Sequence, residues 1–368
     1  MLSSFYIKNY RNLKELHISS FNQVNLISGK NNTGKSSLLE AIFIYANRGS
    51  VESIVANFIG RKEYFTSNLR PDILQENITS LSSLFFNRKF SFNYEDRIEI
   101  GEPQLKDLIS LQFVYYKEEV NQNAKYEFEK IRRITIDNNL DINNISDLFI
   151  GFDIKIGNQS KLLSLQKSLG SYVRNSISAP SLKHQFIYTN NSEKSFNSSL
   201  FDNIALTDKE QYIIEALRII EPNTERIAFV DNNMKERVAV VKLANTKDVV
   251  SISSMGDGIN RILTIILSLV NCSDGYLLID EFENGLHYTV QEKLWTVIFK
   301  LAQELNIQIF ATTHSNDCIS SFSKVLNNMN NKSLGKYIRL DNVDGQIKQV
   351  EFSSDELNIA DQQEIEIR

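Results

Sequence analysis

The run Gly29-Lys30-Asn31-Asn32-Thr33-Gly34-Lys35-Ser36 meets every fixed position of the G-x-x-x-x-G-K-[ST] phosphate-binding pattern. Its flanks narrow the local fold further. The apolar run Val24-Asn25-Leu26-Ile27-Ser28 before it reads as a buried strand. The residues after it, Ser37 to Ala46, place Leu38, Ala41, Ile42 and Tyr45 on one helical face. Strand, glycine-rich loop and helix in that order make a nest of backbone N–H groups at a helix N-terminus, which favours a polyphosphate anion. The loop residues Asn31, Asn32, Thr33, Gly34 and Ser37 are then expected around the phosphates. Lys35 is expected to reach the β- and γ-phosphates, and the Ser36 hydroxyl to coordinate Mg²⁺.

At 368 residues the chain is long enough for one large core or two domains. A formal net charge of -5 gives no overall electrostatic drive onto DNA, although it leaves room for a local basic face. Two cysteines, Cys272 and Cys318, supply neither a ligand cluster nor a disulfide framework, and both read as buried thiols. The first residues lack the apolar core of a signal peptide, and the apolar stretch from Ile262 to Val270 is too short to span a bilayer. A cytoplasmic protein with no membrane partner is expected.

Residues 5–9 and 13–19 read as two strands around Asn9-Tyr10-Arg11-Asn12, and residues 51–88 as short helical pieces, one of them starting at Pro71. Residues 89–120 read as β-rich, with Phe90 to Tyr94 and Leu111 to Tyr116 alternating by face. Strand-like pieces continue over 126–158, broken by a polar run at 137–144. The Ser- and Asn-rich stretch 159–205 reads as a lid, a partner-facing insertion or a loop. Thr207 reads as an N-cap with Glu210 completing a capping box, for a helix that Pro222 stops. Strands near 225–230, 237–243, 276–279 and 307–311 alternate with helices at 258–270, 288–305 and 321–331, before a hairpin around Asp344-Gly345. That alternation argues for an α/β core.

Three further segments carry chemistry. Tyr276-Leu277-Leu278-Ile279-Asp280-Glu281 is a hydrophobic strand ending in paired carboxylates. Asp280 at that place would hold Mg²⁺, directly or through water, and Glu281 would orient or deprotonate the attacking water. Gln308 to Ser315 is a second apolar strand, ending in Thr312, Thr313 and His314. His314 has two readings: a γ-phosphate contact that senses hydrolysis, or a neutral ring satisfied by loop backbone. Ser251 to Leu263 places clustered serines and two glycines ahead of a helix. Because one loop already wraps the nucleotide from its own side, a second suggests closure on ATP held by another copy, a two-fold sandwich with composite sites. An ordinary capped loop is the alternative.

Together the four segments resemble ATP-binding-cassette (ABC) ATPases of the chromosome-maintenance and DNA-repair type. They look closest to compact bacterial AAA-type ATPases related to overcoming-lysogenization-defect proteins and to the RecF recombination protein. Phe5 to Asn12 resembles the family's opening strand and turn, Gly29 to Ser36 its Walker A motif and Leu277 to Glu281 its Walker B motif. Glu283 to His287 resembles its dimer-facing D-loop, and His314 its switch histidine. Where cassette proteins usually carry Ser-Gly-Gly-Gln, this chain has Ser254-Met255-Gly256-Asp257, from which Ser254 and Gly256 are expected to touch the opposing γ-phosphate. A carboxylate at Asp257 would repel phosphate unless turned away or met by a cation.

The resemblance implies an α/β P-loop NTPase of ABC-ATPase head type, with a β-rich N-terminal lobe and a helical or mixed insertion. Residues 1–50 and 205–368 would form the ATPase core, and 51–204 the rest of the lobe and an insertion or lid. It implies ATP and Mg²⁺ as ligands and Glu281, His314 and Lys35 as catalytic residues. A homodimer or higher even-numbered oligomer is expected, with DNA or a separate nuclease or toxin effector as candidate partners. The stretch after His314 is too short for the C-terminal nuclease domain that some relatives carry. The expected function is an ATP-hydrolysing switch acting in phage defence. The alternatives are an ATP-dependent scaffold or sensor with little turnover, or a RecF-like DNA repair protein. Basic residues at 61–62, 88–89 and 131–133 are candidate DNA contacts.

Overall fold

The computed structural model describes the chain apart from residues 64–71, 104–107, 121–130, 137–146, 175–182, 190–192, 233–235, 245, 247, 364, 366 and 368. The chain opens with the antiparallel hairpin β1 (Phe5–Tyr10) and β2 (Leu13–Ile18). Strand β3 (Val24–Ser28), buried along its length, feeds through the glycine-rich loop into α1 (Lys35–Ala46). Helices α2 (Val51–Gly60) and α3 (Ile73–Ser82) follow, capped by the side chains of Ser50 and Asp72. Next come β4 (Ile98–Gly101), β5 (Ile109–Val120), β6 (Ile131–Ile136), β7 (Phe149–Ile156) and β8 (Gln159–Ser164).

Helix α4 (Leu169–Arg174) leads to β9 (His184–Ile187), α5 (Glu193–Asp202) and α6 (Glu210–Ile220). A small antiparallel sheet of β10 (Thr224–Asn232), β11 (Glu236–Leu243) and β12 (Val249–Ser251) precedes α7 (Asp257–Asn271). The last third alternates β13 (Tyr276–Ile279), α8 (Tyr288–Glu304), β14 (Gln308–Thr312) and α9 (Asn316–Asn328). The hairpin β15 (Gly335–Val343) and β16 (Gln346–Phe352) follows, and then α10 (Ser354–Gln362).

Two large sheets organise these elements. The central sheet has the order β16-β15-β3-β14-β13-β9, parallel from β15 to β9 with β16 antiparallel at its edge. The antiparallel lobe sheet has the order β2-β1-β4-β5-β7-β8, with β6 paired to β5. The period-two alternation of the central strands sends their side chains into two different cores. Leu26, Leu277, Ile279, Ile309, Ala311 and Tyr337 join the core packed by α5 to α9. Ile27, Leu278, Phe310, Ile338 and Leu340 join the other, with α1 and the lobe strands. Helix α1 is therefore enclosed by both sheets, and Leu38, Leu39, Ala41, Ile42, Phe43, Ile44 and Ala46 are all buried. A helix whose apolar residues lie on more than one side belongs in such an interior, with Glu40 as its buried polar exception. The expectation of a single apolar face was too narrow.

Other differences have local causes. Strand β9 lies inside the stretch read as lid or insertion, yet it pairs in parallel with β13 and completes the central sheet. His184-Gln185-Phe186-Ile187 shows neither a continuous apolar run nor a clean alternation, unlike the equally short Tyr276–Ile279. Phe90 to Tyr94 forms no strand: Ser91 Oγ accepts the Asn93 N–H (3.1 Å) and Asn93 Oδ1 the Glu95 N–H (3.0 Å), local bonds that compete with a ladder. The alternating rings still pack as read, Phe90 on Phe113 and Phe92 stacked on Tyr115 at 4.0 Å. Helix α6 starts at Glu210 rather than after a Thr207 cap, and the Glu210 carboxylate accepts the Leu206 N–H instead (3.2 Å). Helix α9 begins five residues before the expected 321, because Ser315 caps it by accepting the Cys318 N–H (3.4 Å). Pro71 and the polar run 137–144 lie outside the described residues.

Candidate active site

The loop after β3 turns into α1 through Gly34, whose φ of 86° a side chain would resist. A Cβ there would also press on Leu13. Asn12, in the β1–β2 turn, fastens the loop from outside. Its amide donates to the Asn32 carbonyl (2.8 Å), and its Oδ1 accepts the Ser37 hydroxyl (2.9 Å). The Lys35 ammonium folds back over the loop and donates to the carbonyls of Gly29 (2.7 Å) and Lys30 (3.0 Å). Burial pushes the Lys35 pKa below its ordinary value, while Asp280, Glu283 and Glu281 pull the other way.

Strands β13 and β14 end beside this loop. The Ser36 hydroxyl donates to Asp280 Oδ1 (3.0 Å), and Thr312 Oγ1 donates to the same oxygen (2.7 Å). Thr189, past the end of β9, donates to Asp280 Oδ2 (3.3 Å). Phe282, buried after the paired carboxylates, stacks on Trp295 of α8 with ring centroids 4.1 Å apart, which anchors the turn to the core. Lys35, Ser36, Asp280 and Glu281 thus come together, with Asn31 to Ser37, in a cleft of about 780 Å³.

The wall opposite carries Arg11, Arg61, Glu63, Ser83 and Phe85 to Arg88. It rests on Glu40 of α1, a carboxylate only 2% exposed. Glu40 accepts from Tyr10 Oη (3.2 Å), Arg11 Nε (3.3 Å) and Arg61 Nε. Burial opposes the Arg11 charge, but Tyr10, Glu40 and Glu63 more than restore it, and its pKa lies above the ordinary value. Arg61 is therefore turned inward on Glu40, Arg88 pairs with Glu63 (3.6 Å) and Lys89 with Asp96 (2.7 Å). These partners take charge from two of the basic pairs read as DNA contacts. The side chains at 131–133 lie outside the described residues.

His314 does not line the cleft. Its Nδ1 is 2.9 Å from Glu283 Oε1, which also accepts the His314 N–H (2.8 Å). Neither reading of the histidine named this carboxylate. Ser254 and Gly256 are exposed and line no part of the cleft either. The Ser254 hydroxyl donates to the Ser251 carbonyl (2.7 Å), and among the described residues nothing beyond its chain neighbours lies within 4 Å of where a Gly256 Cβ would sit. The side chain of Asp257 is not among those described. Asn12, Glu40, Thr189, Arg261 and Glu283 escaped the sequence reading as site residues. Each acts across a long chain separation, so although Asn12, Glu40, Arg261 and Glu283 all lie in motif segments, nothing in the local sequence names their partners.

Among the described residues no group of three or more His, Cys, Asp and Glu side chains could hold a metal by itself. One hydroxyl and one carboxylate in contact, Ser36 and Asp280, nevertheless suit Mg²⁺, which takes oxygen ligands and leaves the rest of its shell to water and substrate phosphates. No helix among the described residues is long and apolar enough to cross a membrane.

A family model described as AAA ATPase domain matches residues 1–319. The chain belongs to the AAA ATPase domain family. This ATPase is 26% identical over 345 residues to an ATP/GTP phosphatase of Helicobacter pylori, covering 89% of this chain and 88% of that protein. A shorter likeness, 44% over 45 residues and 12% of each chain, links the ATPase to the DNA replication and repair protein RecF of Bacillus cytotoxicus. Among solved structures, an SMC head bound to the C-terminal winged-helix domain of ScpA superposes with a TM-score of 0.49 at 13% identity, over 95% of this chain and 97% of that one.

Proposed function

We propose that this ATPase is a switch in which ATP and Mg²⁺ join two copies through composite sites and hydrolysis releases them. The observation that carries the proposal is the exposure of Ser254 and Gly256 outside the cleft, on a loop leading into α7. A phosphate contact from them requires nucleotide held by a second copy. On this reading the nest of Asn31 to Ser37 takes the phosphates and Lys35 leaves its loop carbonyls for the β- and γ-oxygens. Ser36 and Asp280 would hold Mg²⁺, which supplies charge neutralisation on the phosphate oxygens. Glu281 accepts a proton from the attacking water as the new oxygen–phosphorus bond forms and the bond to the β-phosphate oxygen breaks, giving ADP and phosphate. His314, held by Glu283, would meet the γ-phosphate when the copies close.

Residues 1–50 with 205–368 would serve as the ATPase core and 51–204 as lobe and insertion, with β9 contributed back to the core. The conformational output would reach DNA or a partner effector, and phage defence is the setting proposed. Both the likeness to RecF and the name of the H. pylori relative are compatible with nucleotide turnover serving such a role.

The test is the solution mass of the Glu281→Gln protein by light scattering. A doubling that requires ATP and Mg²⁺ is expected. A monomer at saturating nucleotide would refute self-sandwiching.

A further inference from the structure

Glu281 sits at φ 49°, in the left-handed region that residues with side chains rarely adopt. Hydrogen bonds from two directions hold the turn there. From β14, Thr312 Oγ1 accepts the Glu281 N–H (2.9 Å) and the Thr312 carbonyl accepts the Phe282 N–H (2.9 Å). From α7, Arg261 Nη2 donates to the carbonyls of Asp280 (2.9 Å) and Glu281 (3.3 Å). The two peptides flanking the Glu281 Cα are thus fixed on opposite sides by different elements. Arg261 is only 4% exposed, an uncommon place for a guanidinium. It stands about one turn into α7, directly after the loop of Ser254 and Gly256.

We propose that Arg261 is a positioning residue for Glu281: it ties α7 to the carboxylate-bearing turn, so that a displacement of the Ser254–Gly256 loop reaches the peptide that aims Glu281. This rests on the reading of Glu281 as the general base. It gives the chain a route by which the loop facing another copy's nucleotide adjusts the base in the protein's own cleft. Neither Ser254 nor Gly256 needs to touch that cleft for this to operate. Transition-state geometry is sensitive to such aim, and a base displaced by about 1 Å loses on the order of 100-fold in rate.

The experiment compares full-length Arg261→Gln, Arg261→Lys, Thr312→Val and Glu281→Gln with the parent. Phosphate release is measured across ATP concentrations, with affinity for a non-hydrolysable ATP analogue and Tm measured alongside. Arg261→Gln is expected to bind the analogue as the parent does and to keep KM, while kcat falls by on the order of 100-fold. Arg261→Lys should recover part of the rate, since an ammonium can still reach one carbonyl. Parental kcat in a folded Arg261→Gln protein, or a raised KM with kcat kept, overturns the inference. Should Arg261→Gln not fold, Thr312→Val decides: it removes the side-chain acceptor of the Glu281 N–H and, with it, the bond to Asp280 Oδ1, while the Thr312 carbonyl keeps Phe282. Parental kcat there is equally fatal, and a fall in kcat supports the inference when the Mg²⁺ concentration needed for half-maximal rate is unchanged. Parental turnover by Glu281→Gln would instead remove the base assignment, and this inference with it. An inactive Glu281→Gln beside a fully active Arg261→Gln removes this inference alone.

Discussion

Replacing Glu40 with alanine should be among the more damaging single changes in this chain, although Glu40 is not expected to touch substrate. Its carboxylate is 2% exposed and satisfies Tyr10, Arg11 and Arg61, which belong to β1, the β1–β2 turn and the end of α2. Removing one partner of a buried ion pair costs about 3–5 kcal/mol, because the other charge stays behind without compensation. Two features place this case near the lower end. Arg11 keeps Glu63, 2.5 Å from Nη1, and the Ser83 carbonyl at 2.9 Å. Arg61, with a third of its side chain exposed, can turn to water, which makes its share about 0–1 kcal/mol. Against that, the Tyr10 hydroxyl is left buried without its acceptor, and Arg11 Nη2 already lacks one among the described residues. A loss of about 3 kcal/mol follows, or roughly a 150-fold change in the folding equilibrium.

Urea denaturation followed by tryptophan fluorescence is suited to the measurement, since the chain's one tryptophan, Trp295, is buried. With a slope of about 3 kcal/mol per molar, the midpoint should fall by roughly 1 M. Glu63→Ala is the control. That carboxylate is mostly buried, but its loss leaves Arg11 on Glu40 and strands no other group, so its cost should stay at about 1.5–2 kcal/mol, the low end for a hydrogen bond to a charged group. A cost under about 1 kcal/mol for Glu40→Ala, or an equal cost for Glu63→Ala, would refute the role given to the buried carboxylate.

Two other outcomes are expected. Lys35→Ala should reduce binding of an ATP analogue below detection in a fluorescence titration, with Tm preserved. Among the described residues its ammonium bonds to two loop carbonyls, so the fold loses little without it; retained affinity would move the phosphates elsewhere. Burial pushes the thiols of Cys272 and Cys318 well above the ordinary cysteine range. Neither should react with an aromatic disulfide reagent at pH 8 in the native protein, and both should react in guanidinium; fast native labelling would contradict their burial.

What the sequence disclosed about this fold tracks the range of the forces involved. The Gly29–Ser36 loop and the β13 and β14 strands are local objects: a positive-φ glycine, a short apolar run, a pair of terminal carboxylates. Each carries its own signature within a dozen residues. Strand β9 is equally central, but its first two residues, His184 and Gln185, are polar, and its pairing with β13 comes from a segment far along the chain, Tyr276 opposite His184. Phe90 to Tyr94 illustrates the reverse error, since a correct reading of its alternating rings still missed the Ser91 and Asn93 side chains that bend the backbone. Ser315 did carry a readable cap signal for α9, and weighting it over the apolar pattern would have placed the helix start.

The candidate site divides along the same line. Its phosphate nest and acidic pair were legible, but the parts that aim them were not. Asn12 clamps the loop from β1–β2, Glu40 locks α1 to the lobe, and Thr312 and Arg261 fix the turn at Glu281. Every one of these contacts joins residues at least 19 positions apart, and the buried charges among them, Glu40 and Arg261, are visible as buried only in the folded chain. They share a consequence. Helix α1 is enclosed between two sheets and has no exposed face along which to slide, so the nest at its N-terminus is aimed by the lobe as much as by the strand that precedes it. A motif of eight residues can specify which anion is bound, but here its orientation is set by the β1–β2 turn on the loop and the end of α2 on α1, while α7 fixes the carboxylate turn that faces it, contacts that exist only after the whole chain has folded.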